Sequence, residues 1–455
     1  MSRLLHRFAS AGLWLASAAL SACGGSSSLP SADPSAVTQP FHPAPSKTFV
    51  GWLQPGLDAA HTANNTAEKT LTRQNVGTLA LGWSVPVGAG VGTPTVTDGS
   101  TAYVASGDDY LYALDMATGA QKWRFQTSFY GESGSWIAIA GGTIYAAPCF
   151  VGSNTQGAGL CALSTKTGKL KWSWYASCNC GPLPSIVVGP VVSNATVVFA
   201  YHAGGAYGKM YVIALSAASG ALLWQTVAGD GNPSGSMGPN LPAISGGNVY
   251  VGTDTGICSL TLTGGSVNWC SGPNAMSGSP AVSKGVVYVT NGNTGSGQPS
   301  LYALNATTGA QVWQYAPTGG YFGYADPPAI AGGKAYFASN EEGPIYALNA
   351  TNGSLLFTFG AGSQNAKTLS SPSIANGVVY VACYTGLCAY DSSTGASLLT
   401  IGNGGSGYGA PAVANGEVIL PCANRNTGYC SSNGFYGVAM YHLPALRSRY
   451  EYSKP

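Results

Sequence analysis

Through most of the chain, apolar residues come in short bursts of three to six, separated by turns rich in glycine, asparagine, serine and threonine. The stretch Gly278–Ala316, GSPAVSKGVVYVTNGNTGSGQPSLYALNATTGAQVWQYA, shows the arrangement in one unit. An apolar strand with a proline near its start meets a glycine turn. The run VVYVT follows, then a variable loop, then LYALN, a Thr-Gly turn and finally QVWQY. Period-two alternation of β-branched and aromatic residues between such turns predicts four β-strands, here termed A to D from first to last.

The unit recurs. Its first-strand positions align at Pro94, Ile137, Pro190, Pro242, Pro280, Pro328, Pro372 and Pro411, about 45 residues apart, which is the length of a four-stranded propeller blade. The D-strand phrase ends at Trp123, Trp172, Trp224, Trp269, Trp313, Phe357 and Leu399, which accounts for seven units. The eighth has strands A to C but no D, whereas NVGTLALGWSV places Trp83 ahead of the first A strand. The expectation is therefore an all-β chain, an eight-bladed β-propeller of four-stranded antiparallel blades. An N-terminal strand closes it, three plus one, so that no sheet edge is left between first and last blade.

Within the phrase ALNATTGAQVW, Ala303 leaves room for close packing, Asn305 can bond the turn backbone, and Gly309 supplies a positive φ. Trp313 can cover the neighbouring blade. The repeated pattern A-x-[DN]-x-x-T-G-x-x-x-W resembles the tryptophan-docking repeat of PQQ (pyrroloquinoline quinone) proteins. That family includes quinoprotein alcohol dehydrogenases and the eight-bladed scaffold lipoprotein of the outer-membrane barrel-assembly machinery. The resemblance covers residues 51 to 443. Ser164 and Ser216 replace the turn acid, Gly264 replaces threonine, and Phe357 and Leu399 replace tryptophan, so it implies weaker docking in the later blades.

The N-terminus changes the picture of where such a body works. Arg3 and Arg7 precede an apolar run from Phe8 to Leu20, too short for an ordinary membrane span and in the pattern of an export signal. Leu20-Ser21-Ala22-Cys23 resembles the bacterial lipobox, which implies cleavage before Cys23, acylation of its thiol and stable anchoring by more than one chain. The segments expected are a signal peptide at 1–22, a lipidated tether at 23–47 and a lead-in at 48–75. The propeller follows at 76–443 and a tail at 444–455. The tether, rich in Ser, Pro and Gly, reaches about 80 Å at most. Gly24 in place of Asp implies, by the enteric sorting rule, the outer membrane, so the localisation expected is the cell envelope.

Losing Arg3 and Arg7 leaves a formally neutral body. No basic stripe is present for releasing counterions from nucleic acid. Charged residues are 7% of the chain against roughly 25% in ordinary soluble domains, so Ser, Thr, Asn and Gly hydrate the surface. Besides Cys23 there are ten cysteines, an even number suited to disulfides in an oxidising compartment. Four pairings are local: Cys149 with Cys161, Cys258 with Cys270, Cys383 with Cys388, and Cys422 with Cys430. Each closes a loop worth about 2 to 3 kcal/mol. Cys178 and Cys180, in CNCG, are either a tight disulfide or two thiols.

Candidate chemistry is confined to loops. Asp108, Asp109, Asp254, Glu341 and Glu342 occupy equivalent B to C hairpins, and Asp115 and Asp391 belong to the docking turn, so these acids are read as structural. Near the axis, D to A loops bring Tyr130, Glu132, Trp136, Asp230, Tyr321, Tyr324, Asp326, Lys367 and Tyr408, a set suited either to plugging the channel or to lining a pocket for a planar or sugar-like ligand. The resemblance offers PQQ with Ca²⁺ as the cofactor, with Glu132 and Asp326 as catalytic acids and Trp136 as a stacking face. Against it, the cation supply is only Lys367 and Arg425, the adjacent-cysteine disulfide of the alcohol dehydrogenases is replaced by Cys178-Asn179-Cys180, and long roofing insertions are absent. His202 and His442 are the only histidines within the blades, too few for a histidine metal cluster or an acyl-transfer triad. The expectation is a membrane-anchored binding or scaffolding module with an envelope protein partner, a monomeric body and no resident cofactor. A PQQ-dependent dehydrogenase and a carbohydrate-binding module are the alternatives.

Overall fold

A computed structural model describes residues 51–88, 91, 93–127, 136–149, 159–176, 187–202, 209–229, 241–253, 256–272, 278–291, 300–317, 327–338, 343–360, 368, 370–384, 386–402, 409–422 and 437–444. They form an eight-bladed β-propeller of antiparallel four-stranded blades. The fifth blade runs Ala281–Ser283, Val286–Asn291, Ser300–Asn305 and Gln311–Tyr315, the four strands of the repeat unit in order. The inner A strands touch their neighbours all the way round, from the eighth blade back to the first. The last blade, Ala412–Ala414, Glu417–Cys422 and Gly437–His442, takes its outer strand from Ala80–Pro86, with Trp83 opposite Met440.

What joins one blade to the next is a shared backbone carbonyl. The Trp269 indole N–H and the Tyr250 hydroxyl both donate to Ala306 O, each at 3.2 Å. Trp313 and Tyr288 do the same to Ala350 O at 3.0 and 3.1 Å, and Trp172 and Tyr145 to Ala217 O at 3.2 and 3.0 Å. The closing Trp83 reaches Met116 O of the first blade at 2.8 Å. Each carbonyl lies in the C to D turn of the next blade, and the turn glycine lies under the arriving indole. A Cβ at Gly309 would sit 2.6 Å from Trp269, so this glycine is required for close approach as well as for its φ of 73°.

Departures from the repeat fall at two seams. Phe357 keeps the register opposite Ala347, but the side chain under which Gly395 lies is Phe359, and Tyr336 alone donates to Ser392 O, at 2.6 Å. At the next seam Leu399 has no donor and the buried Tyr380 hydroxyl has no partner. Weaker docking does not leave this seam open, because the N-terminal lead-in bridges it. Glu68, 1% exposed, accepts from Leu71 N at 2.9 Å and, across to the eighth blade, from Gly416 N at 2.8 Å. Asn376 donates to Leu71 O, and Arg73 bonds Gly377 O and pairs with Asp391 at 3.3 Å.

The same lead-in then proves to be more than a linker. Residues 52 to 65 circle the channel once and bond the inner strand of every blade in turn, near its A to B turn. Trp52 exchanges two bonds with Thr97, Leu53 O accepts from Ile139 N, and the Gln54 amide bonds both backbone groups of Val192. Ala59, Ala60, Thr62 and Ala63 carbonyls accept from Ile244, Val282, Ile330 and Ile374, at 2.6 to 2.9 Å, and Asn65 donates to Val413 O at 2.8 Å. Between the third and fourth blades the chain turns across the axis. There Asp58 accepts from Ala60 N, Thr62 N and the Thr62 hydroxyl, and Leu57, His61 and Ala63 take positive φ of 77°, 54° and 50°. Such conformations cost of order 1 kcal/mol each for non-glycine residues and persist only where surrounding bonds over-determine them.

Two ionisable groups of this lead-in and its surroundings are shifted by burial. Burial, the largest influence, lowers His61 to about 4, against the opposing pull of its bond to Pro280 O and the charge of Asp58. Because Pro280 O can only accept, neutral His61 carries its proton on Nδ1. Glu417 is pushed up to about 8 by burial first, then by Glu68 and Asp115.

Three outcomes follow from these contacts. Trp313→Ala should cost about 3 to 5 kcal/mol of unfolding free energy in urea, by cavity formation at a blade seam, and Leu399→Ala distinctly less. As pH falls from 6.5 to 4 the unfolded chain takes up the His61 proton before the folded one does. The fold should therefore lose about 3 kcal/mol over that window, and His61→Gln should flatten this slope in denaturation midpoints measured against pH. Glu417 acts in the opposite direction, since its unfolded form ionises from 4.5 upward while the folded form stays protonated. Glu417→Gln should therefore gain about 3 kcal/mol relative to wild type on moving from pH 4.5 to 7.

Candidate functional site

The inner strands start at the face that carries the D to A loops, and the circling segment lies at their far ends. Together their described residues line a small hollow on the propeller axis, here called the pit. Its floor is Pro55, Gly56 and Ala63, and its wall includes Pro94, Trp136, Leu241, Pro327, Pro372 and Ala410. The prolines stand here because they begin inner strands, where a ring that lacks an N–H removes no ladder bond. Ser371 and Ser373 add the wall's hydroxyls, and Ser373 already donates to Pro411 O at 2.6 Å.

Of the residues proposed from sequence, Trp136 opens the inner strand of the second blade, opposite Ala147, and its half-buried indole lines the pit. Tyr130, Glu132, Asp230, Tyr321, Tyr324, Asp326, Lys367 and Tyr408 lie outside the described residues, as do Cys23, Cys178, Cys180, Arg425 and Cys430. The described wall is apolar with two serines and one indole. Among the described residues no three His, Cys, Asp or Glu side chains come together as metal ligands. A PQQ–Ca²⁺ pair needs carboxylate and amide oxygens with a cation nearby, and the described wall does not supply that donor set.

Of the acids read as structural, Asp254, Glu341 and Glu342 lie outside the described residues, and Asp108, Asp115 and Asp391 bond nearby backbone groups. Asp108 accepts from the Tyr112 hydroxyl and from Gly88 N, and burial together with this carboxylate pushes Tyr112 up to about 12. Asp115 accepts from Ala117 N and Thr118 N and pairs with Lys122 at 3.1 Å. Disulfides join Cys149 to Cys161, Cys258 to Cys270 and Cys383 to Cys388. Sequence reasoning missed the floor of the pit, residues 52 to 65. Its only local signals are Gln54, Asp58 and Asn65, polar groups in a stretch with no strand alternation, and their partners are 138 to 348 residues away or within one turn.

The outer rim carries a second feature. Leu222 and Leu223, 51% and 52% exposed, and Val227 lie on the eight-residue outer strand Leu222–Gly229, which bears no charge. Val267, Val312, Leu355 and Leu356 are exposed at matching places on the next three outer strands.

Comparison with known proteins bears on both features. The family model described as outer membrane protein assembly factor BamB matches at residues 60–209, 138–275 and 257–399. The quinohemoprotein alcohol dehydrogenase ADH-IIG of Pseudomonas putida is 28% identical over 277 residues, 55% of this chain and 36% of that one. BamB of Yersinia pestis is 26% identical over 261 residues, 51% of this chain and 60% of that one. The chain thus spans about a third of the first relative's length and three-fifths of the second's. Among solved structures, a europium-containing methanol dehydrogenase superposes with a TM-score of 0.66 at 14% identity, covering 87% of this chain and 99% of that one. BamB of Moraxella catarrhalis gives 0.55 at 16% identity, covering 80% and 99%. With successive matches running from residue 60 to residue 399 across the repeated blades, the chain belongs to the BamB family of PQQ-like repeat propellers.

Proposed function

We propose that this protein is a non-catalytic binding scaffold of the bacterial envelope, tethered to the outer membrane through acylated Cys23, whose partner is another envelope protein. The observation that carries the reading is the outer rim. Exposed leucines and valines recur at matching places on four successive uncharged outer strands, an apolar set that would favour contact with another protein. Membership of the BamB family and the likeness to BamB of Yersinia pestis support a partner of the assembly type named there. The floored pit supports the same reading, because its described wall presents apolar surface and two serines, one of them already bonded to Pro411 O, where a dehydrogenase needs charged ligands.

The dehydrogenase relative is the observation that keeps a second reading, oxidation of an alcohol by bound PQQ. One paired experiment separates them. Crosslinking in intact envelopes should recover a discrete protein partner whose yield falls at least fivefold for Leu222→Lys/Leu223→Lys, with the purified variant still folded by circular dichroism. Purified wild-type protein given PQQ and Ca²⁺ should neither acquire cofactor absorbance nor reduce an artificial electron acceptor with alcohols. Cofactor uptake with turnover, or an unchanged crosslink in the double variant, refutes the scaffold assignment.

A further inference from the structure

The three disulfides among the described residues differ in how they meet solvent. Cys149 and Cys161 are each 0% exposed, and so are Cys383 and Cys388. Cys258, on the third strand of blade four, Gly256–Thr261, is also 0% exposed. Its partner Cys270 stands directly opposite on the outer strand Val267–Ser271, beyond which the sheet has no further strand, and is exposed. One disulfide therefore joins a fully buried cysteine to an exposed one on an edge strand, and the other two join cysteines that are both buried.

We propose that Cys258–Cys270 is a thiol–disulfide exchange site, opened by attack of an incoming dithiol on the Cys270 sulfur. Exchange requires a thiolate to reach a sulfur in line with the bond it breaks, so access selects both the disulfide and the end attacked. The incoming thiolate forms a bond to Cys270 Sγ. The Cys258–Cys270 bond breaks, its electron pair leaves on Cys258 Sγ, and that sulfur takes up a proton. Cys258 shares an apolar cluster with Val251, Leu260 and Ala228, the Thr253 hydroxyl lies 4.0 Å from its sulfur, and Ala228 O lies 3.9 Å away as an acceptor for the S–H that forms. The second thiol of the reductant, as thiolate, then attacks the reductant's own sulfur in the mixed disulfide and releases Cys270. In sum, one dithiol is oxidised to a disulfide and Cys258–Cys270 is reduced to two thiols. An oxidised partner of the same class runs the reaction backwards.

The blade holds its shape through this cycle. The ladder from Ile257 opposite Ser271 to Leu260 opposite Val267 does not depend on the sulfur bond, and Trp269 still docks on Ala306 O. The outer strand V-N-W-C-S carries no charge to repel an approaching thiolate, and Asn268, beside Cys270, is tied to Asn248 and Ser259. The chemistry fits a dithiol oxidoreductase or a small dithiol reaching the rim of blade four.

The test is a titration of the folded full chain with dithiothreitol under native conditions, quenched with iodoacetamide and mapped by peptide mass spectrometry. Cys258 and Cys270 should become alkylated at a dithiothreitol concentration about tenfold below that needed for the Cys149–Cys161 and Cys383–Cys388 pairs. Equal or later reduction of Cys258–Cys270 overturns the proposal. The direction of attack is read separately with oxidised glutathione. Cys258→Ser should acquire one glutathione at Cys270, and Cys270→Ser should acquire none at Cys258 in the same time. Equal labelling of the two variants, or labelling of Cys258 alone, refutes attack at Cys270.

Discussion

At six seams one backbone carbonyl, in the turn between the third and fourth strands of the next blade, is the point on which the ring depends. It accepts an indole N–H and, at four of these seams, a tyrosine hydroxyl from the same preceding blade, while the glycine three residues later lets the indole lie against the turn. A buried carbonyl with two lone pairs is fully satisfied by two such donors, and removing either leaves part of it desolvated and unpaired. The hydrophobic gain of burying an aromatic pair and the polar gain of pairing its heteroatoms therefore occur at the same place. Blades that are each only four short strands become one cooperative body.

That constraint explains where the molecule departs from its own repeat. Tryptophan is lost at two consecutive seams, and each loss is offset differently. At the sixth blade, Phe359 and Tyr336 divide the packing and the hydrogen bond between them. At the seventh, neither is available, and the lead-in supplies a buried carboxylate, an arginine and an amide bond from outside the repeat. The lead-in can do so because it has already been carried round the axis by residues 52 to 65. Closure thus rests on three connections of one segment: a turn round the inner strands, a bridge over the weakest seam, and the outer strand of the last blade.

The arrangement also separates rigidity from recognition. The axis is floored and stitched to every inner strand, and among the described residues the outer strand of each blade keeps one edge with no further strand beside it. The exposed apolar set and Cys270 both lie on the outer strands, where no neighbour covers the fourth strand of a blade.

Much of this was legible in the sequence, for a physical reason. Strand alternation, turn glycines and the docking tryptophans are local patterns with a fixed period, so eight blades, their order and closure through Trp83 follow from spacing alone, and so do the hairpin disulfides Cys149–Cys161 and Cys383–Cys388. The pairing of Cys258 with Cys270 was legible too, since residues that face each other across a hairpin are near in sequence. What only the tertiary structure decided are contacts between residues with no shared period. Gln54 finds Val192 and Asn65 finds Val413 because the closed ring puts eight unpaired inner strand edges around one axis, a geometry that does not exist until the last blade has met the first. Likewise, burial in the assembled ring, rather than residue type, sets His61 low and Glu417 high and leaves Cys270 open while Cys258 is sealed.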